Sequence, residues 1–371
     1  MSFYPDPSKQ AVEVYFTRKS KPPDPPELNF NNAPITVQDN QKHLGIILDK
    51  KLAFDQHLVG KISKANRSIG LINRLREFLP RSSLITIYKA YIRPHLDYGD
   101  IVYDRPGNAS FAEKLESIQY NACLAITGCF RGTSREKLYC ELGLESLADR
   151  RWSRRLIFFY EIINGFAPNY LSDLLPPRRE DEGIGREGFW VRPPFAMPFF
   201  RTERFRASFF PFCISEWNNL GNGIRNLPTI SSFKNAILNF VKPKPNSVFN
   251  ANDNKGVIFL NRLRVDFSHL REHKFRHNFL DTLDPFCNCR TNSLETTEHF
   301  LMYCSDYRNE RFDMFNSLLQ LDVSLLPLKP SRLFNILLYG DSNFSLEINH
   351  EILNITINFI CNTERFSGPL F

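Results

Sequence analysis

Apolar residues recur at steps of three and four along one stretch of this chain, at Ile62, Ala65, Ile69, Ile72, Leu75 and Leu79. That period predicts an amphipathic helix, which must lay its stripe on a core to be stable. At about 100° per residue, Lys64, Arg67 and Arg74 fall on roughly the opposite side. A buried stripe with a basic back suits a helix that packs inward and shows cations to a polyanion. A solvated charged face with no partner fits the same residues, so the rest of the chain must decide.

Short extended runs broken by proline precede this helix. Residues 12–17 (VEVYFT) are β-branched and aromatic, residues 34–38 and 43–48 read as two further strands, and Pro22, Pro23, Pro25 and Pro26 make a turn-prone connector. A small antiparallel sheet is expected, too slight for an independent domain. Helices follow in series. Ser82 or Ser83 is placed to cap a second helix with Leu84, Ile87, Tyr88, Tyr91 and Ile92 apolar, which Pro94 ends or kinks. A third begins near Asn108 and carries Phe111, Leu115, Ile118, Ala122 and Ile126 on one face. Thr133 and Glu136 form a capping box for a fourth. The fifth, over residues 146–164, sets Trp152, Leu156, Phe159 and Ile163 opposite Arg150, Arg151, Arg154 and Arg155, the densest positive patch in the sequence.

Pro176 and Pro177 stop the helical run, and RREDEGIGREG reads as a linker. The next segment, FWVRPPFAMPFFRTERFRASFFPF, interleaves aromatics with Arg192, Arg201, Arg204 and Arg206 without helical period. Such alternation builds either a surface that stacks bases and neutralises phosphates or a strand or clamp that packs its aromatics on a neighbour. Residues 231–241 predict a short helix, KPKPNSVFNANDNKG a second linker, and residues 261–280 and 318–371 further helical segments. The fold class expected is therefore mainly α with a small N-terminal antiparallel β element: a helical bundle followed by a C-terminal helical domain. No internal repeat at a fixed period occurs.

With 371 residues, 42% of them apolar, the chain can bury a core and suggests two or three domains. Residues 61–155 hold 17 Lys or Arg against 10 Asp or Glu, a local excess equal to the net charge of +7 for the whole chain. Such concentration points to a polyanion-binding face. The sequence has no apolar run of about 18 residues, and its first residues lack a basic region followed by an apolar one, so neither a membrane span nor a secretory signal is expected. Eight scattered cysteines fit a reducing compartment, hence an intracellular, nuclear or cytoplasmic place.

The sharpest chemical constellation is Cys287-x-Cys289-x9-His299-x4-Cys304. Zinc takes four tetrahedral sulfur and nitrogen ligands, and two cysteines on a tight turn facing a His and a Cys on a following helix supply them, making the metal structural. The competing reading leaves Cys287 and Cys289 as turn thiols and His299 and Cys304 as core residues. His269, Glu272 and His273 match an H-x-x-E-H metalloprotease pattern, but Arg271, Lys274, Arg276 and His277 make their surroundings basic, so a structural or phosphate-facing role is expected for them. Tyr98-Gly99-Asp100 offers one carboxylate where two-metal polymerase chemistry needs a pair. Asp97 and Asp100 are read as turn or cap residues.

The stretches YFTRK, HLGIILDKKLAFDQHL, IYKAYIRPHLDYGDIVYD, FKNAIL, LREHKFRHNF and CNCRTNSLETTEHFLMYCSDYRNER resemble the C-terminal part of a reverse transcriptase from a non-LTR retrotransposon of the jockey-like, LINE type. The resemblance implies a primer-gripping hairpin at a palm edge in residues 1–60, a helical thumb in 61–177, a linker and aromatic segment in 178–255, and a helical domain with a zinc knuckle in 256–371. It implies a nucleic-acid partner, RNA, RNA/DNA or DNA duplex, whose phosphates would meet Lys64, Arg67, Arg74, Arg150, Arg151, Arg154 and Arg155. The metal-binding aspartates of such polymerases would precede residue 1, so no catalytic magnesium site is expected here. The reading is a truncated, catalytically incompetent relative; the alternatives are a piece of a longer active polymerase and a protein-interaction scaffold.

Overall fold

The computed structural model describes residues 12–17, 24–30, 33–176, 195–241, 254–322, 325 and 328–366. The expected linkers RREDEGIGREG and, for the most part, KPKPNSVFNANDNKG lie outside them, as does Arg192. Among the described residues the chain is mostly helical, and no helix is long and apolar enough to cross a membrane.

The N-terminal strands form three separate pairs. β1 (Val12–Glu13) runs parallel to β4 (Thr36–Val37), β2 (Asn29–Phe30) is antiparallel to β3 (Ala33–Pro34), and β5 (Asn40–His43) is antiparallel to β6 (Ile46–Asp49). The single strand expected over 43–48 is instead a hairpin. Leu44 and Gly45 take φ of 45° and 82° and turn the chain between His43 and Ile46, the two positive φ angles that a tight hairpin turn requires.

The basic stripe becomes α1 (Asp55–Leu75), which buries Leu58, Ala65, Ile69 and Ile72. The second helix starts without a serine cap: α2 (Arg81–Ile87) follows Pro80, widens into a π turn at Tyr88–Ile92 and continues as α3 (Arg93–Asp97) through Pro94. The Arg93 amide donates to the Tyr88 carbonyl, closing the five-residue turn. Proline has no amide hydrogen and crowds the preceding turn, and a π turn is one way a helix absorbs that. It also explains which residues are inside. Leu84, Tyr88, Ile92 and Leu96 are all buried, while Tyr91 is exposed. Steps of four drift by about 40° each on an α-helix, and the wider turn takes that drift out.

Gly99, at φ 72°, starts α4 (Asp100–Tyr103). α5 (Ala109–Thr127) is capped by Asn108, whose side chain accepts from the Phe111 amide, and buries all five of its expected apolar positions. α6 (Arg135–Leu142) has Ser134 at its N-cap without a side-chain bond; Thr133 gives its hydroxyl to the Phe130 carbonyl instead of forming the expected box. α7 (Leu147–Ile163) is capped by Ser146. Helices α1, α2, α3, α5 and α6 share one core centred on Ile72, Tyr88, Leu115 and Leu138.

A short turn, α8 (Asn169–Ser172), ends this run. Beyond it lie α9 (Glu203–Arg206), α10 (Phe209–Asn219), α11 (Asn222–Arg225) and α12 (Ile230–Val241), of which α10 and α12 pack on α7. Among the described residues of the aromatic segment, Phe195 and Phe209 pack on Phe159 of α7 at 6.0 and 6.4 Å, and Phe209–Phe212 are helical, in the first turn of α10. Farther along the chain Trp217 and Phe233 complete this core, with the Tyr160 and Phe233 rings stacked 4.4 Å apart.

The third core comprises α13 (Asn254–Arg264), α15 (Arg308–Leu321), α16 (Pro330–Tyr339) and α17 (Leu346–Asn362). Between its first two helices lies α14 (Arg271–Arg276). The long helix expected over 261–280 breaks where Asp266 takes φ 54°. Buried polar contacts tie α13 to the first core: Glu141 accepts from Arg81 at 2.6 Å and Arg264 at 2.8 Å, and Asn261 and Arg262 donate to the carbonyls of Thr127 and Gly128.

Candidate nucleic-acid interface and metal centre

The back of α1 carries the cations read from the sequence. Lys64, Arg67 and Arg74 are exposed and, among the described residues, none has an ion pair. Arg67 lines a groove of about 680 Å³ with Ser63 and Asn66 of α1 and Lys114 of α5. Lys114 is also exposed, a fourth cation that the helical period of α1 alone could not reveal because it belongs to the neighbouring helix. Lys61 is different. It is buried, its Nζ donates to the Tyr98 carbonyl at 2.9 Å, and burial holds its pKa down near 8.

The arginine face of α7 does not look outward. Arg150 Nε donates to both Asp97 oxygens at 3.0 and 2.9 Å, and its Nη1 meets Glu145 at 2.6 Å. Arg154 Nε lies 3.0 Å from Asp100, while Arg151 and Arg155 share Asp104 at 3.0 and 3.3 Å. Arg151 and Arg155 are buried. On α7, Arg150 and Arg154, like Arg151 and Arg155, are four residues apart and share one side; the acids that meet them come from the end of α3 (Asp97), the start of α4 (Asp100) and the residue after α4 (Asp104). The patch expected to meet phosphates is therefore largely spent inside the fold, with Arg154 the most exposed of the four at 36% of its side chain. Asp97 and Asp100 are ion-pair partners rather than turn residues alone. Burial pushes Asp100 up to about 6, against the pull of Arg154.

The same segment seats the hairpin. Tyr98 Oη donates to the Leu44 carbonyl at 2.6 Å. A Cβ on Gly99 would stand 2.6 Å from Ile46 Cδ1. In the aromatic segment, Arg204 donates to the carbonyls of Lys51 and Leu52 and Arg206 pairs with Glu203, whereas Arg201 is exposed.

The cysteine cluster comes together. The Cys287 amide donates to the Ser293 carbonyl at 2.8 Å, and Phe286 bridges Leu294, so Cys287 and Cys289 sit on one short closed loop. The chain bends at Asn288 and Cys289 and turns back where the Asn292 amide donates to the Cys289 carbonyl at 3.1 Å, a tight turn that carries both thiols. His299 opens a π turn, His299–Tyr303, and the Cys304 amide closes it on the His299 carbonyl at 2.8 Å. A bond spanning five residues stacks His299 near Cys304; on an α-helix they would diverge. All four side chains are buried and their ligand atoms lie within 4.8 Å of one another. Cys287 Sγ is 3.7 Å from Cys304 Sγ, and Cys289 Sγ is 3.4 Å from His299 Nε2. A tetrahedron drawn with ordinary zinc bond lengths has edges of about 3.8 Å between sulfurs and roughly 3.6 Å from sulfur to nitrogen. The cluster could hold a metal ion, and its four protein ligands leave no open position. Burial pushes Cys287 up to about 12 and raises Cys304; at Cys289 burial acts the same way but is outweighed by hydrogen bonds with Thr291, Cys287 and His299, which hold it near 5. Cation binding at this set must therefore displace protons. Glu295 clamps the loop from outside, accepting from Arg365 Nε at 2.9 Å and from the Arg271 amide at 2.6 Å.

The H-x-x-E-H histidines do not converge on a metal. His273 Nδ1 accepts from the Ser268 amide at 3.1 Å, His277 stacks on Phe267 at 3.8 Å, and His269 lies against Phe130.

Over 177 residues, 46% of its length, the chain is 26% identical to a protein named probable RNA-directed DNA polymerase from transposon X-element, of Drosophila melanogaster. The match spans 19% of that relative's length. No family model and no solved structure matches the chain.

Proposed function

We propose that the chain is a reverse-transcriptase-like module of retrotransposon origin that binds an RNA or RNA/DNA duplex by its phosphates and holds a structural zinc ion. The similarity to a transposon RNA-directed DNA polymerase supports the origin. The observation that carries the binding role is the contrast between two basic helices. Among the described residues, Lys64, Arg67 and Arg74 of α1 stand exposed without an ion pair, Arg67 in a groove with Lys114, while the arginines of α7 are committed to aspartates. Exposed cations that line a groove neutralise phosphates without reading sequence, and their affinity falls steeply with salt. In this reading residues 61–177 act as a thumb, the β5–β6 hairpin as the palm edge beside it, and the Cys/His cluster as a knuckle that orders the C-terminal domain.

The chain's role is binding rather than polymerisation, because Asp97 and Asp100 sit in ion pairs instead of forming an open two-metal site. A short matched span of a much longer relative favours a second reading, in which the module works as one piece of a complete polymerase; an in-frame Tyr-x-Asp-Asp upstream in the genomic sequence decides between them. Binding itself is tested by titrating an RNA/DNA duplex with the full chain and with a K64A/R67A/R74A variant. Loss of affinity in the variant supports the reading, and equal affinity removes it.

A further inference from the structure

A cavity of about 500 Å³ lies between the N-terminal turn of α7 and the loop after α4, and none of the α1 cations proposed for duplex binding lines it. Arg105, Arg151, Trp152, Phe212 and Phe240 line it, with Asp104 and Asp149. Among the described residues, two of its donors have no acceptor. Arg151 is 4% exposed, its Nε is paired with Asp104, and its Nη1 is buried with no acceptor. Arg105 Nη2 is likewise buried and unbonded, while the guanidinium rests 5.6 Å from the Phe111 ring. The acids in the wall do not fill this need: Asp104 is shared between Arg151 and Arg155, and Asp149 accepts from the Ser146 hydroxyl at 2.7 Å. Buried guanidinium donors without acceptors are costly and rare in folded proteins. The rest of the wall is aromatic, with Trp152 fixed by its bond to Glu216 at 2.8 Å and Phe240 exposed at the rim.

We propose that this cavity binds a nucleoside monophosphate, free or as the phosphorylated end of a single strand, with the phosphate on Arg105 and Arg151 and the base among Trp152, Phe212 and Phe240. The volume suits a ligand of that size, paired guanidinium groups suit a phosphate, and bases stack on aromatic rings whatever their identity. The site does not rest on the duplex-binding reading.

Calorimetric titration of the full chain with adenosine monophosphate, adenosine and inorganic phosphate tests it. Saturable binding of the nucleotide is expected, with adenosine at least about tenfold weaker for want of the charge-assisted bonds. Arg105→Gln, which breaks no ion pair, should weaken the nucleotide by a similar factor while circular dichroism stays native, and K64A/R67A/R74A should leave it unchanged. Competition by a short oligonucleotide only when it bears a terminal phosphate assigns the site to strand ends; no competition assigns it to free nucleotide. Nucleotide and nucleoside binding alike, an unaltered affinity in Arg105→Gln, or no saturable binding by folded chain overturns the proposal.

Discussion

Arg151 of α7 and Asp104 after α4 meet at 3.0 Å, with side chains 5% and 9% exposed, deep inside a chain whose sequence shows that arginine on the most basic face it has. Periodicity places a residue on a side of a helix, but it does not say what that side faces. Here the segment through α3 and α4 supplies Asp97, Asp100 and Asp104 to it, so much of that charge is internal.

Truncating Asp104 should therefore be far more damaging than truncating a cation of α1. Asp104→Ala strands two buried guanidinium groups and is expected to cost about 3–5 kcal/mol. Lys64→Ala, at an exposed and unpaired position, should stay within about 0.5 kcal/mol. Urea denaturation of the two variants measures both, and similar midpoints would remove the structural role given to the α7 arginines.

If the buried Cys/His cluster holds zinc as proposed, the chain carries one zinc ion after purification without chelator, counted by plasma emission spectrometry. Cys304→Ala leaves three ligands and should lose the metal together with much of the cooperativity of unfolding in the C-terminal core. Because Cys287 and Cys304 must give up protons to bind, retention should weaken as pH falls. Folded chain that carries no metal when purified in its presence speaks against the assignment.

His273 gives the C-terminal helices a defined acid sensitivity. Burial holds its pKa down near 4, against Asp266 and Glu272, and protonation would displace the Ser268 amide from Nδ1. The unfolded chain takes up this proton near 6.5 and the folded chain only near 4, so stability is full above that window and declines as pH falls through it. The total is at most about 3 kcal/mol. Melting temperature followed from pH 7 to 4 should show the loss in the native chain and a flatter profile in His273→Gln; parallel profiles would exclude His273 as the source.

Gly99 couples the hairpin to the first core. Its φ of 72° is strained for any residue with a Cβ, and a Cβ there would push Ile46 aside, so Gly99→Ala should cost about 1–3 kcal/mol and loosen the hairpin, read as faster amide exchange at residues 46–49.

Much of the helical content was legible because these helices carry their own signals. Asn108 and Ser146 begin α5 and α7 where the sequence places them, and the stripes of α1 and α5 are buried as their period requires. The four cysteine-cluster residues were legible from side-chain type and spacing. What escaped is what depends on a partner or on an unusual turn. The π turns at Tyr88–Ile92 and His299–Tyr303, the hairpin turn at Leu44 and Gly45, and the helix through Pro211 all break local period or propensity. The aspartates opposite α7 and Lys114 beside α1 are distant in sequence from the residues they serve, and no single window contains both sides.

The salt dependence of duplex binding tests the central claim most directly. Fluorescence anisotropy of a labelled RNA/DNA duplex, measured over a range of salt for the native chain, for K64A/R67A/R74A and for Arg154→Ala, separates the two basic helices. Removing three phosphate contacts should flatten the slope of log affinity against log salt by about 2–3, whereas Arg154→Ala should change it by less than about 1. A native slope near zero, or a slope that falls with Arg154 and not with the α1 cations, would contradict the account.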